Sequence, residues 1–291
     1  MLVTVFTPSY NRAKHLSCLF GSLQHQTVKD FEWLIVDDGS QDETRKIVET
    51  LSMQSDFPIK YVYKENGGKH TAINKALDIV KSELFFIVDS DDILTNDAIE
   101  SIEKDWEANK EKNLCGISYL RGYNNLQPIG DVFPSDHLIG SFADVRVHKH
   151  IHGDKAEVWV TRYLRNFRFP VFKGERFLVE SWLWLQVSNM ADMLFVNKVI
   201  YVTEYLPGGL TQSGRRLRIN CPKGGMAFNL LLMDKSYPMR DRVKSGLLYA
   251  CYSFFADQPL KKSLNNGHLA LTAICLLPGY VLYRYWKSKF F

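Results

Sequence analysis

The sequence contains few cysteines and no paired-cysteine motif. Five of its 291 residues are cysteine, at positions 18, 115, 221, 251 and 275. An odd and scattered set without a CxxC pair argues against a disulfide framework and against a structural zinc site. The sequence therefore predicts a chain that folds in a reducing compartment.

A strong excess of charge of one sign is also missing. Lysine and arginine number 36 against 32 for aspartate and glutamate, a net charge of +4. So small an excess does not indicate nucleic acid as a partner. With 46% hydrophobic and 13% aromatic residues, the chain has enough apolar side chains for a substantial core. We expect one large folded domain, or a domain with an appendage.

Long uninterrupted apolar segments are missing as well. The N-terminal run MLVTVFTPSYNR lacks the features of a secretory signal, so a cytoplasmic location is expected. The stretch from Leu269 to Trp286 is interrupted by Pro278-Gly279 and falls short of the ~20 residues that span a bilayer. Arg284, Lys287 and Lys289 alternate with aromatic residues, which favours the surface of an anionic membrane. A peripheral position on the inner face of the cytoplasmic membrane and a packed helical hairpin both remain open.

Apolar periodicity predicts alternating strands and helices in the first hundred residues. Short runs typical of buried strands cover residues 3–7, 31–36, 59–63 and 84–88. Between them, apolar residues recur at helical spacing. This alternation predicts a Rossmann-related α/β fold, with a mainly parallel sheet flanked by helices and a helical C-terminal appendage. Such sheets bind ligands beyond the carboxyl ends of their strands.

Each of these four strands leads into a polar loop. The loops read TPSYNR (7–12), DDGS (37–40), ENGGK (65–69) and DSDD (89–92). A single loop of this kind is more often an ordinary turn, but four at one sheet edge are expected to form a ligand site. Ser40 and Glu43 also form a capping-box pattern, which predicts that their side chains cap the second helix.

Spacing excludes three familiar phosphate- or metal-binding motifs. A Walker A loop would need Gly and Ser or Thr where the chain has Tyr63 and His70. An EF-hand starting at Asp89 would need a ligand and a glycine at Ile93 and Leu94. The GxGxxG fingerprint is absent after the first strand. What remains is a carboxylate pair that recruits a hard divalent cation together with phosphate oxygens, which implies a phosphorylated ligand.

Four segments, taken in order, resemble family 2 glycosyltransferases of the GT-A type. They read TVFTPSYNR, DFEWLIVDDGSQDET, NGGKHTAINKAL and FFIVDSDD, within roughly residues 1–110. The resemblance implies inverting transfer of a hexosyl or N-acetylhexosaminyl group in polysaccharide biosynthesis. The implied donor is a nucleoside diphosphate sugar of the UDP type, and the acceptor is a saccharide or a lipid-linked sugar. Mn²⁺ or Mg²⁺ is the implied cofactor.

The same resemblance assigns roles to residues of the four loops. It implies that Pro8 and Tyr10 line the base and ribose, and that Asp38 contacts the nucleobase. Asp89 would contact the ribose, and Asp91 would hold the metal. The further positions implied in donor binding are Arg12, Asn66, Gly68, Lys69 and Ser90.

The acceptor hydroxyl needs a carboxylate base that lies outside the DSDD loop. Residues 150–220 resemble the acceptor-facing half of the family, in which a Glu-Asp pair often precedes an amphipathic helix. Here the pair reads Glu180-Ser181. Glu180 is the favoured base, because a helix N-terminus helps to keep it ionised, and Glu175 and Asp154 stay open as alternatives.

Arginines and glycines cluster between Tyr205 and Arg218. Arg215 and Arg216 suit a mobile loop over a diphosphate, because guanidinium groups pair bidentately with phosphate and glycine absorbs backbone change. The segment resembles the family's active-site lid. A solvated surface loop is the open alternative.

Three histidines, at positions 148, 150 and 152, alternate along the chain. On a strand they would share one face, which could suit a metal. Contact with acceptor or solvent is the favoured alternative.

The sequence thus predicts three regions. Residues 1–110 form the donor-binding half, residues 111–220 the acceptor-facing half of the same domain, and residues 221–291 a helical C-terminal region. Two other function classes stay open. A nucleotidyltransferase would also use carboxylates and a metal, but TPSYNR is not its glycine-rich, lysine-bearing loop. A noncatalytic sugar-nucleotide-binding protein would keep the fold and lose the base.

Overall fold

Strands and helices alternate along the first hundred residues, as the periodicity predicts. The computed structural model describes residues 1–203 and 210–291, with side chains from residue 214 onward in the second range. The strands in these ranges are β1 Val3–Ser9, β2 Phe31–Asp37, β3 Ile59–Tyr63, β4 Leu84–Ile87, β5 Ile93–Leu94, β6 Leu114–Gly122, β7 Leu138–Gly140, β8 Lys155–Val160 and β9 Asp192–Val202.

The helices connect these strands and make up the C-terminal part of the chain. They are α1 Ala13–Gln24, α2 Thr44–Gln54, α3 Lys69–Ile79, α4 Ala98–Glu107, α5 Thr161–Leu164, α6 Ser181–Val187, α7 Leu210–Asn220, α8 Pro222–Leu232, α9 Met239–Phe255, α10 Leu260–Leu264 and α11 Leu269–Phe290. Two compact units result, one of Met1–Arg168 with Leu183–Tyr205 and the other of Phe169–Trp182 with Leu206–Phe291.

The first unit is built on one mixed sheet with the strand order β3-β2-β1-β4-β8-β6-β9-β5, and β7 pairs with β9. Strands β1 to β4 run parallel to one another. Strand β8 is antiparallel to both β4 and β6, and β6 is parallel to β9. Strands β1 to β4, β6 and β9 therefore point the same way, so their carboxyl ends meet at one edge of the sheet.

Helix α1 packs on the sheet through an apolar stripe. Its apolar residues Leu16, Leu19, Phe20 and Leu23 recur at helical spacing and are all buried. The ring of Phe20 stacks on that of Trp33 in β2, with 6.3 Å between centroids. Burying a side chain of this size stabilises the fold by about 1.5–3 kcal/mol. The apolar stripe thus fixes the start of α1 beyond the carboxyl end of β1.

The alternating histidines do not lie on a strand. His148 ends a π-helical turn, Asp144–His148, and His150 has a positive φ of 53°. The three histidines therefore do not share a strand face, because the chain turns here before β8 begins. The described residues contain no group of three His, Cys, Asp or Glu side chains arranged to hold a metal ion.

The second unit is helical. Its core contains Met226 and Met233 from the α8 segment, Tyr249 and Tyr252 of α9, and Trp286 of α11. Helix α11 is continuous through Pro278. The predicted interruption at Pro278-Gly279 was therefore wrong, because packing against α9 offsets the loss of one backbone hydrogen bond at proline.

Candidate active site

The carboxyl ends of the first four strands form one polar edge. The amide of Asp38 donates to the carbonyl of Ser9 at 2.8 Å, and the amide of Lys64 donates to that of Asp37 at 2.9 Å. The amide of Val88 donates to the carbonyl of Phe6 at 2.8 Å. These bonds bring the four sequence-predicted loops to neighbouring positions along the edge.

The acidic turn, Asp89–Asp92, follows β4 and is held by cationic and hydroxyl groups. Lys69 donates to Oδ1 of Asp89, and Nη1 of Arg121 lies 3.8 Å from Oδ2 of Asp89 and 3.6 Å from Oδ2 of Asp92. The Tyr201 hydroxyl donates to Oδ2 of Asp92 at 2.7 Å and accepts from the Asp89 amide at 2.9 Å. One tyrosine hydroxyl therefore bridges both ends of the turn.

Burial and the neighbouring charges shift the pKa values of Asp89 and Asp92 in opposite directions. Burial alone would raise the pKa of Asp89, but the charges of Lys69 and Arg121 outweigh it and lower that pKa. Burial and the negative charge of Asp89 raise the pKa of Asp92 to about 7. Asp89 therefore keeps its negative charge, whereas Asp92 is buried inside the turn and bonded to Tyr201.

Arg121 and Tyr201 were not predicted from the sequence. They are register partners on β6 and β9, and the guanidinium carbon of Arg121 lies 3.9 Å from the centre of the Tyr201 ring. The available signal was indirect, because carboxylates at the end of a buried strand require cationic partners. Nothing in the local sequence indicates which distant strands supply them.

Asp91 differs from Asp89 and Asp92 in its contacts. Its side chain is 27% exposed, as is that of Asp89, but the nearest cation given by the structure is Nη2 of Arg12, 4.0 Å from Oδ2. Its oxygens are hard donors of the kind that Mg²⁺ and Mn²⁺ prefer. Since a metal bound mainly by substrate phosphates needs only one or two protein carboxylates, Asp91 fits such an ion. The turn does not provide enough protein ligands to coordinate an ion without substrate.

The DDGS and NGG loops are joined through Asp38. Its Oδ1 accepts from the Gly67 amide at 2.9 Å, and its Oδ2 accepts from the Gly68 amide at 2.7 Å. Lys64 also donates to Asp38. Gly39 has a φ of 87°, and a Cβ there would lie 2.8 Å from the amide nitrogen of Asn66. Asp38 therefore orders the loop that carries Asn66, Gly68 and Lys69.

The TPSYNR loop is fastened to the DDGS loop. The amide of Asn11 donates to Oγ of Ser40 at 2.8 Å, and Oδ1 of Asn11 accepts from the Gln41 amide at 2.8 Å. Pro8 is half-buried within β1, and Tyr10 is 46% exposed at its end.

The predicted capping box is not formed. Glu43 precedes α2 without a side-chain cap bond and instead pairs with Lys46 at 2.9 Å. Ser40 does not cap α2, because its hydroxyl accepts from the Asn11 amide instead. The prediction was wrong because a contact between two loops replaced a local one.

Two of the three candidate bases, Glu175 and Glu180, belong to the second unit. Glu175 is buried, and its two oxygens accept from the Lys223 and Gly224 amides, each at 2.9 Å, at the start of α8. Glu180 is half-buried immediately before α6. Glu175 therefore has a structural role as an anchor for a helix N-terminus.

The predicted lid lies partly outside the described residues, because 204–209 and the side chains of 210–213 are not included. Arg215 and Arg216 are exposed on α7, after a break in the helix at Gly214. The guanidinium carbon of Arg215 lies 4.9 Å from the centre of the Trp286 ring. The lid role of both arginines stays a prediction.

Replacing Tyr201 with Phe tests whether its hydroxyl positions the acidic turn. The change leaves the Asp89 amide without its acceptor and Asp92 without a donor, so the free energy of unfolding should fall by about 1–3 kcal/mol. The UDP affinity that the family resemblance implies, measured by calorimetry with Mn²⁺, should fall by about tenfold or more.

Tyr119→Phe is the matched control, because the Tyr119 hydroxyl is also buried and donates to Asp105 at 2.8 Å. It should lose similar stability and retain UDP affinity. Equal losses of affinity in the two variants would contradict a positioning role for Tyr201.

The mixed sheet with its acidic edge is a GT-A fold. S. aureus TarS 1-349 in complex with UDP-GlcNAc aligns with a TM-score of 0.68 at 16% identity, covering 99% of this chain and 92% of TarS 1-349. The mannosyltransferase PcManGT from Pyrobaculum calidifontis, in complex with GDP-Man and Mn²⁺, aligns with a TM-score of 0.59 at 21% identity, covering 99% and 83%. Likeness at this level of identity confirms the predicted fold.

Sequence comparisons identify the family. Residues 4–148 match "Glycosyl transferase family 2". The glycosyltransferase GlyA of Streptococcus pneumoniae is 34% identical over 287 residues, covering 91% of this chain and 38% of GlyA. GlyG of the same species is 36% identical over 102 residues, covering 35% of this chain and 34% of GlyG. The chain belongs to glycosyltransferase family 2, and it matches little more than a third of the length of these two relatives.

Proposed function

We propose that the protein is an inverting glycosyltransferase of polysaccharide biosynthesis. It transfers a hexosyl or N-acetylhexosaminyl group from a nucleoside diphosphate sugar, with UDP as the favoured nucleotide, to a saccharide or lipid-linked acceptor. The observation that carries the proposal is the acidic turn, where Asp91 stays partly exposed while Lys69, Arg121 and Tyr201 hold its neighbours.

The proposed donor site follows the sheet edge. Pro8 and Tyr10 line the base and ribose, Asp38 contacts the nucleobase, and Asp89 contacts the ribose. Further donor-binding positions are proposed at Arg12, Asn66, Gly68, Lys69, Ser90, Arg215 and Arg216. The order supplied by the Asp38 bonds to Gly67 and Gly68 supports this proposal, because an ordered loop loses less conformational entropy on binding.

Asp91 would hold Mn²⁺ or Mg²⁺ together with the donor diphosphate. Such an ion supplies Lewis-acid stabilisation of the negative charge on the departing diphosphate. Lys69 and Arg121 act differently, because they balance the acidic turn before donor arrives. The Mn²⁺ named for PcManGT supports the choice of metal.

Glu180 is proposed as the general base. The acceptor oxygen forms a bond to the anomeric carbon while the bond from that carbon to the diphosphate oxygen breaks. The acceptor proton passes to the Glu180 carboxylate. Attack opposite the leaving group inverts the configuration at the anomeric carbon.

Relatives support the choice of substrates and location. TarS is named in complex with UDP-GlcNAc, and a Campylobacter jejuni enzyme with 26% identity, which the chain covers over 59% of its length, is named a glucosyltransferase acting on an undecaprenol-linked saccharide. Such an acceptor resides in a membrane. We therefore propose a cytoplasmic protein that is peripheral to the inner face of the cytoplasmic membrane.

A thermal-shift screen with nucleotide sugars, followed by nucleoside diphosphate release, tests the proposal. A donor at 100 times its Kd stabilises the native state by about 2.7 kcal/mol, so the Tm should rise by several degrees with Mn²⁺ and much less with EDTA. UDP sugars should give the largest rise in Tm, and they should be hydrolysed slowly. Binding without any hydrolysis or transfer would instead indicate a noncatalytic binding protein.

A further inference from the structure

Helix α11 packs on α9 through one side only. Gly279 lies so close to Ala250 that a Cβ on Gly279 would approach the Ala250 methyl to 2.6 Å. Trp286 is buried, and its ring centroid lies 6.0 Å from that of Tyr252. Thr272 and Cys275 are buried on the same side. This side of α11 belongs to the core of the second unit.

The opposite side of α11 is exposed and apolar. Leu269, Ile274, Leu277 and Val281 are 62%, 74%, 73% and 61% exposed. No charged residue occurs from 269 to 283. At 1.5 Å per residue, the apolar strip from Leu269 to Val281 is about 18 Å long. We call these four residues the apolar face of α11.

Cationic residues lie at both ends of this strip in the sequence. Arg284, Lys287 and Lys289 follow it and are exposed, and Lys261 and Lys262 of α10 precede it. Aromatic residues accompany the C-terminal cations. Lys287 donates to the Tyr283 hydroxyl at 2.9 Å, and Arg284 to the Tyr280 hydroxyl at 3.2 Å. Apolar area flanked by cations and tyrosines is complementary to the boundary between anionic headgroups and acyl chains.

We propose that the apolar face of α11 binds the surface of an anionic lipid bilayer. Among the described residues α11 is the one helix that is long and apolar enough to cross a membrane. Its other side is committed to α9, so the helix lies in the interfacial layer, with the apolar face toward the acyl chains and the cations at the headgroups. The inference gives the proposed peripheral location a physical site, and it does not require transfer activity.

The test uses the full chain and cosedimentation with vesicles. The combined substitution Ile274→Ser and Leu277→Ser should weaken binding to vesicles of equal parts phosphatidylglycerol and phosphatidylcholine by about tenfold or more. Met53→Ser with Val132→Ser is the matched control, because both side chains are exposed in the first unit at 87% and 51%. The control should bind as the unchanged protein does.

A second pair of substitutions tests the charges. Lys287→Gln with Lys289→Gln should lower binding to the anionic vesicles several-fold, since each cation near such a surface contributes favourably. It should change binding to pure phosphatidylcholine little. Raising the salt concentration should reduce the difference between the two vesicle types. Lys46→Gln with Lys110→Gln, exposed lysines of the first unit, is the control.

Point substitutions are preferred to removal of residues 280–291, because that deletion takes Trp286 out of the core of the second unit. Unchanged Tm values and unchanged hydrolysis of a soluble donor should accompany the loss of vesicle binding. A failure of hydrolysis with intact vesicle binding would count against the proposed function alone.

Three outcomes would overturn the inference. Vesicle binding that is absent in the unchanged protein at low salt, or equal in the face variant and its control, would exclude a bilayer as the occupant. A dimer in light scattering that the face variant converts to monomer, without vesicle binding, would assign the face to a second copy of this chain.

Discussion

Asp91→Asn is expected to abolish sugar transfer and the metal-dependent part of donor binding while leaving the protein folded. The substitution keeps the size of the side chain but removes the negative charge that would attract a divalent cation. Because such an ion contributes several kcal/mol to stabilising transition-state charge, turnover should fall by at least about 10²-fold. Calorimetry with UDP and Mn²⁺ measures the binding loss directly.

The partial exposure of Asp91 is what makes a folded variant expected. Among the described residues this side chain pairs with Arg12 at 4.0 Å, and surface pairs of this kind contribute at most about 1 kcal/mol to stability. Asp78→Asn is a matched control, because Asp78 also pairs with one arginine, Arg168 at 2.9 Å. UDP affinity that depends on Mn²⁺ equally in Asp91→Asn and the unchanged protein would rule out Asp91 as the metal ligand.

The first four strands could be predicted from the sequence because each is a short apolar run. The buried strand Leu84–Ile87 is a continuous stretch of apolar residues, and the polar loop Asp89–Asp92 follows closely. The convergence of those loops also follows from the fold class, since parallel strands end at one edge. Local patterns therefore sufficed to locate Asp38, Asp89 and Asp91.

The groups that hold the acidic turn could not be predicted in the same way. Arg121 and Tyr201 reach it through the register of β6 with β9, and β9 lies about a hundred residues away in sequence from Asp89. Register between distant strands depends on the packing of the whole sheet. The predicted helix cap by Ser40 was wrong for a related reason, since its partner Asn11 comes from another loop.

The structural role of Glu175 in the second unit could not be predicted from the sequence either. The sequence kept this residue, with Asp154, as an alternative to the favoured base Glu180, because each is a carboxylate in the acceptor-facing segment. Only the three-dimensional contacts with the Lys223 and Gly224 amides distinguish it. A buried carboxylate whose two oxygens both accept from backbone amides at a helix N-terminus is committed to that helix and is a poor candidate for proton transfer.

Glu180→Gln is expected to lower turnover by roughly 10²- to 10⁴-fold with little change in donor affinity. The amide keeps the size of the side chain and most of its hydrogen bonding but cannot accept the acceptor's proton. Nucleoside diphosphate release with a competent acceptor measures turnover, and calorimetry with UDP measures binding. The split between the two follows from the proposed role, since a base acts on the acceptor rather than on the nucleotide.

Glu175→Gln and Asp154→Asn are the controls that locate the base. Glu175→Gln removes one of two carboxylate acceptors at the start of α8, so its free energy of unfolding should fall by about 1–3 kcal/mol. Asp154 is exposed in the first unit, and its variant should retain both stability and turnover. A variant that loses turnover together with Tm reports a folding defect, whereas one that loses turnover at an unchanged Tm reports the base. If Asp154→Asn met the second condition and Glu180→Gln kept its turnover, the proton acceptor would be Asp154, and Glu180 would be a helix-terminus carboxylate.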